Sequence, residues 1–423
     1  MASKKWYRLD NAAKVFPSVS NRKRSNVFRL AFEMKELVDP LLLQKAVDIT
    51  INRFPMLDVR LRKGFFWYYF ENNEADPILS KENSHLCQAF EDYRETNGFL
   101  FRLSYFEKRI ALEVFHSLSD GAGGLELLKS IVFTYLQLRD VHFSSSKGVL
   151  TENDEIIMEE AQDSFYTHSN LHLKKGPKDD RALKFKTPLY DDDWVGIIIG
   201  TAKVDQIKKL AEKYSCTITE LLGAIVLYSA SKNIHLFETK KRDFKLLIPV
   251  NLRRFFSSKS LRNFSLFVLT SMKLDDKKTF EDIVSIVKSD LKEELQKEKL
   301  QARFTATVKI EQNMLMRLAP RFIKELALKI GYHWMGDIIN TFSLSNLGGV
   351  TLPDEMQEYV EKIVFCNGAS VSFPLNLGVI SYQNTITIAF TSNMIAKSIQ
   401  RDFFRFLTKE GVEVMIEHND LEV

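Results

Sequence analysis

Residues 26–34 alternate apolar and polar side chains, the period-two pattern of a strand with one face in a core. Within 41–54, Leu43, Ala46, Val47 and Ile51 recur at helical spacing and predict an amphipathic helix. Residues 57–62 and 64–71, rich in branched and aromatic side chains, predict a hairpin. A second hairpin is predicted from 98–106 and 109–115 across a short Glu107-Lys108 turn, with a helix over 122–138 directly after it. The same mixture returns beyond residue 194. Strands are predicted over 195–202, 244–250, 264–273, 341–344, 363–371, 377–382 and 385–392. Between them fall an amphipathic helix over 204–214 and an apolar helix over 221–231, the latter opened by a capping box of Thr217 and Glu220. One long charged helix is predicted over 279–299, with Ile283, Val287, Leu291 and Leu295 on its dry face. Two shorter helices, 311–318 and 321–330, are parted at Pro320, and a last amphipathic helix covers 398–410.

Hairpins need antiparallel pairs, so an α/β fold with mixed sheets fits this order better than a doubly wound parallel one. Periodicity fails from about residue 140 to 194, where a Ser-rich turn at 144–148, an acidic run at 151–155 and a polar segment at 174–181 follow one another. The break predicts an N-terminal half over 1–139, a crossover or mobile surface linker over 140–194, and a C-terminal half over 195–423.

Composition removes several functions. At 45% hydrophobic the chain belongs with folded proteins, and a net charge of +4 leaves no electrostatic footprint for nucleic acid. Cys87, Cys216 and Cys366 lie far apart without a CxxC pair, which predicts a reduced, cytoplasmic protein with no disulfide framework. The first residues hold no apolar signal segment. The longest apolar stretches, 195–202 and 221–230, fall far short of the roughly 20 residues a bilayer-crossing helix needs.

The sharpest chemical feature is Phe115-His116-Ser117-Leu118-Ser119-Asp120-Gly121, an HxxxDG string between a predicted strand and a predicted helix. A His at a strand end points into whatever cleft lies beyond the sheet, and Gly121 permits a sharp turn. From the residues alone, two readings stay open for each group. His116 is an ordinary partly buried imidazole or a base, and Asp120 is the N-cap of the next helix or part of a site. Gly123 and Gly124 fit close packing of that helix on its sheet. No metal site is expected, because the eight histidines are scattered and the closest pair, His168 and His172, has no evident third ligand. A phosphate loop, a GxSxG elbow and a dinucleotide fingerprint are all missing.

Further motifs follow in order: Arg8, Leu9, Asn11 and Ala12 before the HxxxDG string, then Pro249-Val250-Asn251-Leu252-Arg253, and then Ser345-Asn346-Leu347-Gly348. With them the sequence resembles the CoA-dependent acyltransferase superfamily. That group includes chloramphenicol acetyltransferase, condensation domains of nonribosomal peptide synthesis, plant BAHD enzymes, polyketide-associated acyltransferases and alcohol acetyltransferases. The bacterial alcohol-acetyltransferase-like branch is the most similar. The resemblance implies two chloramphenicol-acetyltransferase-like halves set in a V with a tunnel between them. It also implies a monomer without a permanently bound cofactor. Acyl-CoA, or an acyl carrier protein, would be the donor, and a small-molecule or lipid alcohol the acceptor.

It further implies His116 as general base for direct attack, with no acyl-enzyme. Asp120 would be a buried carboxylate paired with Arg253, or with Arg254 as the alternative. Ser345 would stabilise the oxyanion, and Gly121, Asn263 and Asn346 would be motif or tunnel residues. By residue type alone, Ser345 and Asn346 also fit a turn after the 341–344 strand, and Asn263 a strand start. Phe115 stands where condensation domains carry a first His. In place of the plant Asp-Phe-Gly-Trp-Gly signature the chain reads Ser372-Phe-Pro-Leu-Asn-Leu-Gly378. The expected function is therefore O-acyl transfer from acyl-CoA to an alcohol. A condensation-type enzyme, using a carrier-bound donor or forming an amide, and a non-catalytic acyl binder are the alternatives.

Overall fold

The alternating strand of the first half spans Val27–Met34, one place in from the edge of a five-stranded sheet. The sheet order is Val360–Asn367, Val27–Met34, Arg109–Phe115, Phe101–Phe106 and Leu79–Lys81. All neighbours run antiparallel except the last pair. These elements come from a computed structural model that describes residues 6–173, 179–190, 194–239, 241–273 and 278–419; residues 174–178 and 191–193 of the expected crossover lie outside them. The helices Pro40–Thr50 and Gly121–Gln137 cover the sheet, closing a core that includes Phe28, Phe32, Leu112 and Leu128. Both helices start at an Asp N-cap, Asp39 and Asp120, whose side chains accept from first-turn N–H groups.

The second half is built on a seven-stranded sheet. Its order is Ser265–Met272, Phe244–Asn251, Phe342–Val350, Leu375–Tyr382, Thr385–Ser392, Gly196–Lys203 and Val414–His418. Phe342–Val350 is parallel to both of its neighbours, so this sheet is mixed too. The helices Ile218–Ser231, Phe280–Glu294 and Ser398–Lys409 supply the buried faces of a second core. A small sheet of Trp6–Arg8, Tyr68–Asn72 and Val59–Lys63 sits beside the first half. The architecture is thus mixed α/β with two lobes.

The lobes are not independent. Val360–Asn367 leaves the second half and pairs antiparallel with Val27–Met34 along the edge of the first sheet. Thr387 Oγ1 donates to Ile363 O at 2.7 Å, tying that strand back to its own half. A small apolar cluster of Ala31, Ala111, Val364, Cys366 and Ala389 fills the space where the two sheets face each other.

Four details differ from the pattern-based expectation. The long helix over 279–299 is two helices, Phe280–Glu294 and Lys297–Gln312, because Gln296 is extended with ψ 130°. The apolar pattern itself restarts there, with Leu300, Phe304 and Val308 forming a new buried face. The helix expected from 311 begins at Met314, where the Asn313 side chain accepts from Leu315 N and Met316 N and starts a fresh turn. The 341–344 strand runs on to Val350 through a register shift after Asn346. The edge strand Val414–His418 was not expected from its short, mixed sequence.

The described part of the crossover lies largely at the surface but is pinned at a few buried points. Arg53 Nη1 and Nη2 donate to Glu160 at 2.8 and 2.7 Å, and both side chains are buried. Phe165, on the short helix Ser164–His168, and Leu183 enter the second core. The anchors sit on very short elements or in extended chain, too short to show a period. Among the described residues no helix is long and apolar enough to cross a membrane.

Candidate active site

The strand Arg109–Phe115 hands the chain to His116, whose N–H donates to Asn26 O at 2.9 Å. Leu118 N then bonds back to Phe115 O at 2.8 Å, closing a tight turn, and Asp120 starts the helix by accepting from Gly123 N at 3.2 Å. Gly121 is not in a left-handed conformation, so the turn does not demand it. It is the first residue of the helix, and a Cβ there would lie 2.9 Å from the Leu347 side chain. Gly124 packs the helix on its own sheet, against Phe28. Gly123 packs it on the other half: a Cβ would stand 2.1 Å from Leu261 O and 2.2 Å from Ser119 Oγ. Backbone cannot give way at that distance without the lobes separating. Gly123→Ala is therefore expected to cost about 1–3 kcal/mol, the range of an overpacked core, read as a lower urea midpoint.

The His116 ring stacks on Phe16 at 5.3 Å and tilts against Phe28 at 4.9 Å between centroids. Such contacts are worth about 0.5–1.5 kcal/mol each and hold the ring plane. The residue is half-buried. Its Nδ1 is buried without a hydrogen-bond partner, which leaves Nε2 as the nitrogen with access. Burial lowers the imidazole pKa from its ordinary 6.5, and the smaller attraction of the Asp120 charge works against that shift. The ring is neutral at neutral pH, with a lone pair free for a proton.

The second half meets this turn at several points. Arg253 Nη1 donates to Asp120 Oδ2 at 2.8 Å, and its other donors go to Ser260 O at 2.9 Å and Arg262 O at 2.5 Å. Phe264 N also donates to Asp120 Oδ2, at 2.8 Å. Arg254, one residue on, is exposed and points elsewhere, its guanidinium lying beside Gly348. Asn263 lies in the loop before the Ser265–Met272 strand, not at its start. Its Nδ2 donates to His116 O at 3.0 Å and to Asp10 Oδ2 at 3.2 Å.

Ser345 is buried in the Phe342–Val350 strand opposite Gly378, not in a turn. Among the described residues no hydrogen bond joins it to His116; its link to the turn is through Leu347, two residues on, which covers Gly121. Asn346 Nδ2 donates to Thr219 Oγ1 at 3.0 Å, and its Oδ1 accepts from Gly348 N at 2.8 Å. Asn346 thus holds the strand end within the second half.

Three groups that the sequence reading left aside also shape the site. Asp10, wholly buried, accepts from Ala13 N at 2.7 Å and from Asn263, and burial raises its pKa. Arg262 donates to Arg8 O at 2.6 Å and Ala161 O at 3.2 Å, joining the N-terminal segment, the crossover and the second half. Phe16 forms one wall of the His116 ring. The available signal was the Arg8–Ala12 motif, since an Asp inside it needs a buried partner. Asp163 accepts from Asn11 N at 2.9 Å, and burial together with nearby Asp10 pushes it up to about 7. Two surface hollows, of about 370 and 460 Å³, are lined by Asp48, Ile49, Asn52 and Arg53 with Glu152 and Ile156, and by Phe185–Leu189 with Val371 and Pro374. Neither includes His116.

The alcohol acetyltransferase family model matches residues 191–410, slightly more than half of the chain. The chain belongs to the alcohol acetyltransferase family. The match covers Arg253, Asn263 and Ser345 of this acetyltransferase-family protein, while His116 and Asp120 lie before it. The comparison with curated proteins finds no match.

Among solved structures, the family member is similar to TRI101 of F. sporotrichioides complexed with coenzyme A and T-2. The two are 11% identical with a TM-score of 0.64, over 98% of this chain and 100% of that one. Polyketide synthase associated protein 5 from Mycobacterium tuberculosis matches at 13% identity and a TM-score of 0.59, over 97% and 99%. The first condensation domain of the CDA synthetase matches at 13% and 0.58, over 98% and 99%. At these identities the likeness is one of fold.

Proposed function

We propose that the protein transfers an acyl group from acyl-CoA to the hydroxyl of an alcohol, with His116 as general base. The observation that carries this reading is the His116 ring itself. It is half-exposed and clamped between Phe16 and Phe28, on a turn locked to the other lobe by Asp120–Arg253, and burial lowers its pKa. The alcohol proton passes to His116 Nε2 as the oxygen attacks the thioester carbonyl. The tetrahedral oxyanion collapses, the C–S bond breaks, and the leaving sulfur takes the proton back from His116 as CoA thiol. Ser345 is assigned the hydroxyl that donates to the oxyanion, and Asn263 is assigned the positioning of the His116 backbone. Asp120 and Arg253 hold the turn and do not touch substrate. Donor and acceptor reach the ring from opposite mouths of a tunnel between the lobes. A cytoplasmic monomer suffices, because one chain supplies both sides of the site. The complex of TRI101 with coenzyme A supports the choice of donor.

Thiol release tests the proposal, with acetyl-CoA and longer acyl-CoAs offered against a panel of alcohols and amines. Thiol and ester are expected in equal amounts with an alcohol. Turnover with a carrier-bound acyl group and none with free acyl-CoA would replace this reading with the condensation-type one. Bound lipid without transfer from any donor would replace it with a binder.

A pH profile gives a second check. Only the neutral imidazole accepts the proton, and burial moves its pKa below 6.5. Transfer should therefore hold level through neutral pH and fall only on acidification below that value, read as kcat/KM against pH. An acid limb above pH 7 would contradict the buried, neutral ring.

A further inference from the structure

The helix Arg321–Tyr332 is amphipathic but faces the wrong way for a core element. The one side chain it buries is a lysine, Lys324. Lys324 Nζ donates to Phe66 O at 3.1 Å and Arg317 O at 3.0 Å, and sits 4.2 Å from the centre of the Trp67 ring. Beside it, Arg321 N donates to Phe65 O at 2.9 Å, Arg321 Nη1 to Gly64 O at 3.1 Å, and Tyr68 Oη to Glu325 at 2.8 Å. The polar face is thus bonded to the 64–68 hairpin tip and cannot roll outward without breaking those bonds. The apolar face is left in solvent: Phe322 is 69% exposed and Leu326 61%. The preceding helix, Met314–Leu318, buries nothing, and Leu315 is 82% exposed. Ile323 and Ile330, at helical spacing from Phe322 and Leu326, are exposed on the same face. A contiguous apolar face of this kind is a contact site rather than scattered surface residues.

The charge around it identifies the contact. Residues 313–334 hold four cationic side chains, Arg317, Arg321, Lys324 and Lys329, and one carboxylate. That carboxylate, Glu325, is occupied by Tyr68 and by Arg321 at 3.0 Å, while Arg317 and Lys329 are exposed. Bulky apolar residues framed by free cations, with no free carboxylate among them, complement an anionic lipid surface. We propose that Met314–Leu318 and Arg321–Tyr332 dock the protein on an anionic membrane, with Leu315, Phe322 and Leu326 entering the acyl layer and Arg317 and Lys329 meeting headgroups. The Arg321–Tyr332 helix packs on Phe16–Val19, the segment that carries the Phe16 wall of His116. Under the transferase reading, the docked face therefore lies beside the site, and the acceptor class is an alcohol dissolved in the bilayer.

Vesicle flotation of the full chain tests docking without any activity readout. Vesicles of phosphatidylcholine with about 30 mol% phosphatidylglycerol should carry the protein, and pure phosphatidylcholine vesicles should carry about tenfold less. Leu315→Glu with Phe322→Glu should lose binding to both, at unchanged melting temperature and unchanged thiol release with a short water-soluble alcohol. Arg317→Glu with Lys329→Glu should lose only the preference for anionic vesicles. His116→Ala should float like the parent, so a failed transferase reading and a failed docking reading are separable. Parent protein that stays unbound with both vesicle types overturns the proposal. So does a concentration-dependent dimer that Leu315→Glu with Phe322→Glu dissociates, since a second copy would then be the occupant.

Discussion

His116→Ala is expected to lower acyl transfer about 10³-fold, within the usual range for loss of a general base, while the melting temperature moves by only a few degrees. The two halves of this expectation rest on different contacts. Nδ1 makes no hydrogen bond, and Asn263, which lies beside the ring, keeps its bonds to His116 O and Asp10 in the variant. What is lost in packing is its contact with Phe16 and Phe28, beside a residue that stays partly open to solvent. The bonds that fix the turn are those of the His116 backbone, to Asn26 O and from Asn263 Nδ2, and alanine retains them. Thiol release and thermal unfolding on the same sample check the expectation. Full activity in the variant would remove His116 from the chemistry altogether. A collapse of the melting temperature together with activity would make the ring a core residue.

Asp120→Ala should have the larger effect on folding. The carboxylate is buried and answers three donors: Gly123 N, Phe264 N and Arg253 Nη1. Alanine leaves the Arg253 guanidinium without its counter-charge and two N–H groups without acceptors. Breaking a buried pair from one side costs about 3–5 kcal/mol, and a lost N-cap about 1 kcal/mol, the two not being strictly additive. Asp120→Asn should be milder, since the amide oxygen still accepts from Arg253 and Phe264 while only the Gly123 cap is forfeited. The urea midpoint should fall in the order parent, Asn, Ala, with activity falling alongside because the His116 turn loosens. A variant in which activity vanished at parental stability would instead place Asp120 in contact with substrate.

The elements that positioned this site were legible because they follow simple periods. The strand before His116, the helix after Asp120 and the capping box at Thr217 each depend on neighbours within a few residues. Arg253 is set by the end of the Phe244–Asn251 strand, so the ordered motifs carried it as well. The features that escaped are long-range or inverted. Asp10 joins the site through Arg262 and Asn263, over two hundred residues later. Glu160 is a single anchor in the aperiodic crossover, and its partner Arg53 lies more than a hundred residues earlier, so no local pattern joins them. The 321–330 helix was legible from its start after Pro320, but nothing local tells which way such a helix will face. Lys324 settled that by finding carbonyl partners inside.

The strand that crosses from the second lobe also constrains how the chain is made. Val27–Met34 is buried along almost its whole length, and one of its two edges is satisfied only by Val360–Asn367. While the protein emerges from the ribosome, that edge stays open until most of the polypeptide has been synthesised. A release fragment ending near residue 139 would display a long apolar ribbon with unpaired amides, the kind that recruits a like neighbour into aggregates. Completion of the first sheet therefore waits on the arrival of a segment far downstream in the chain.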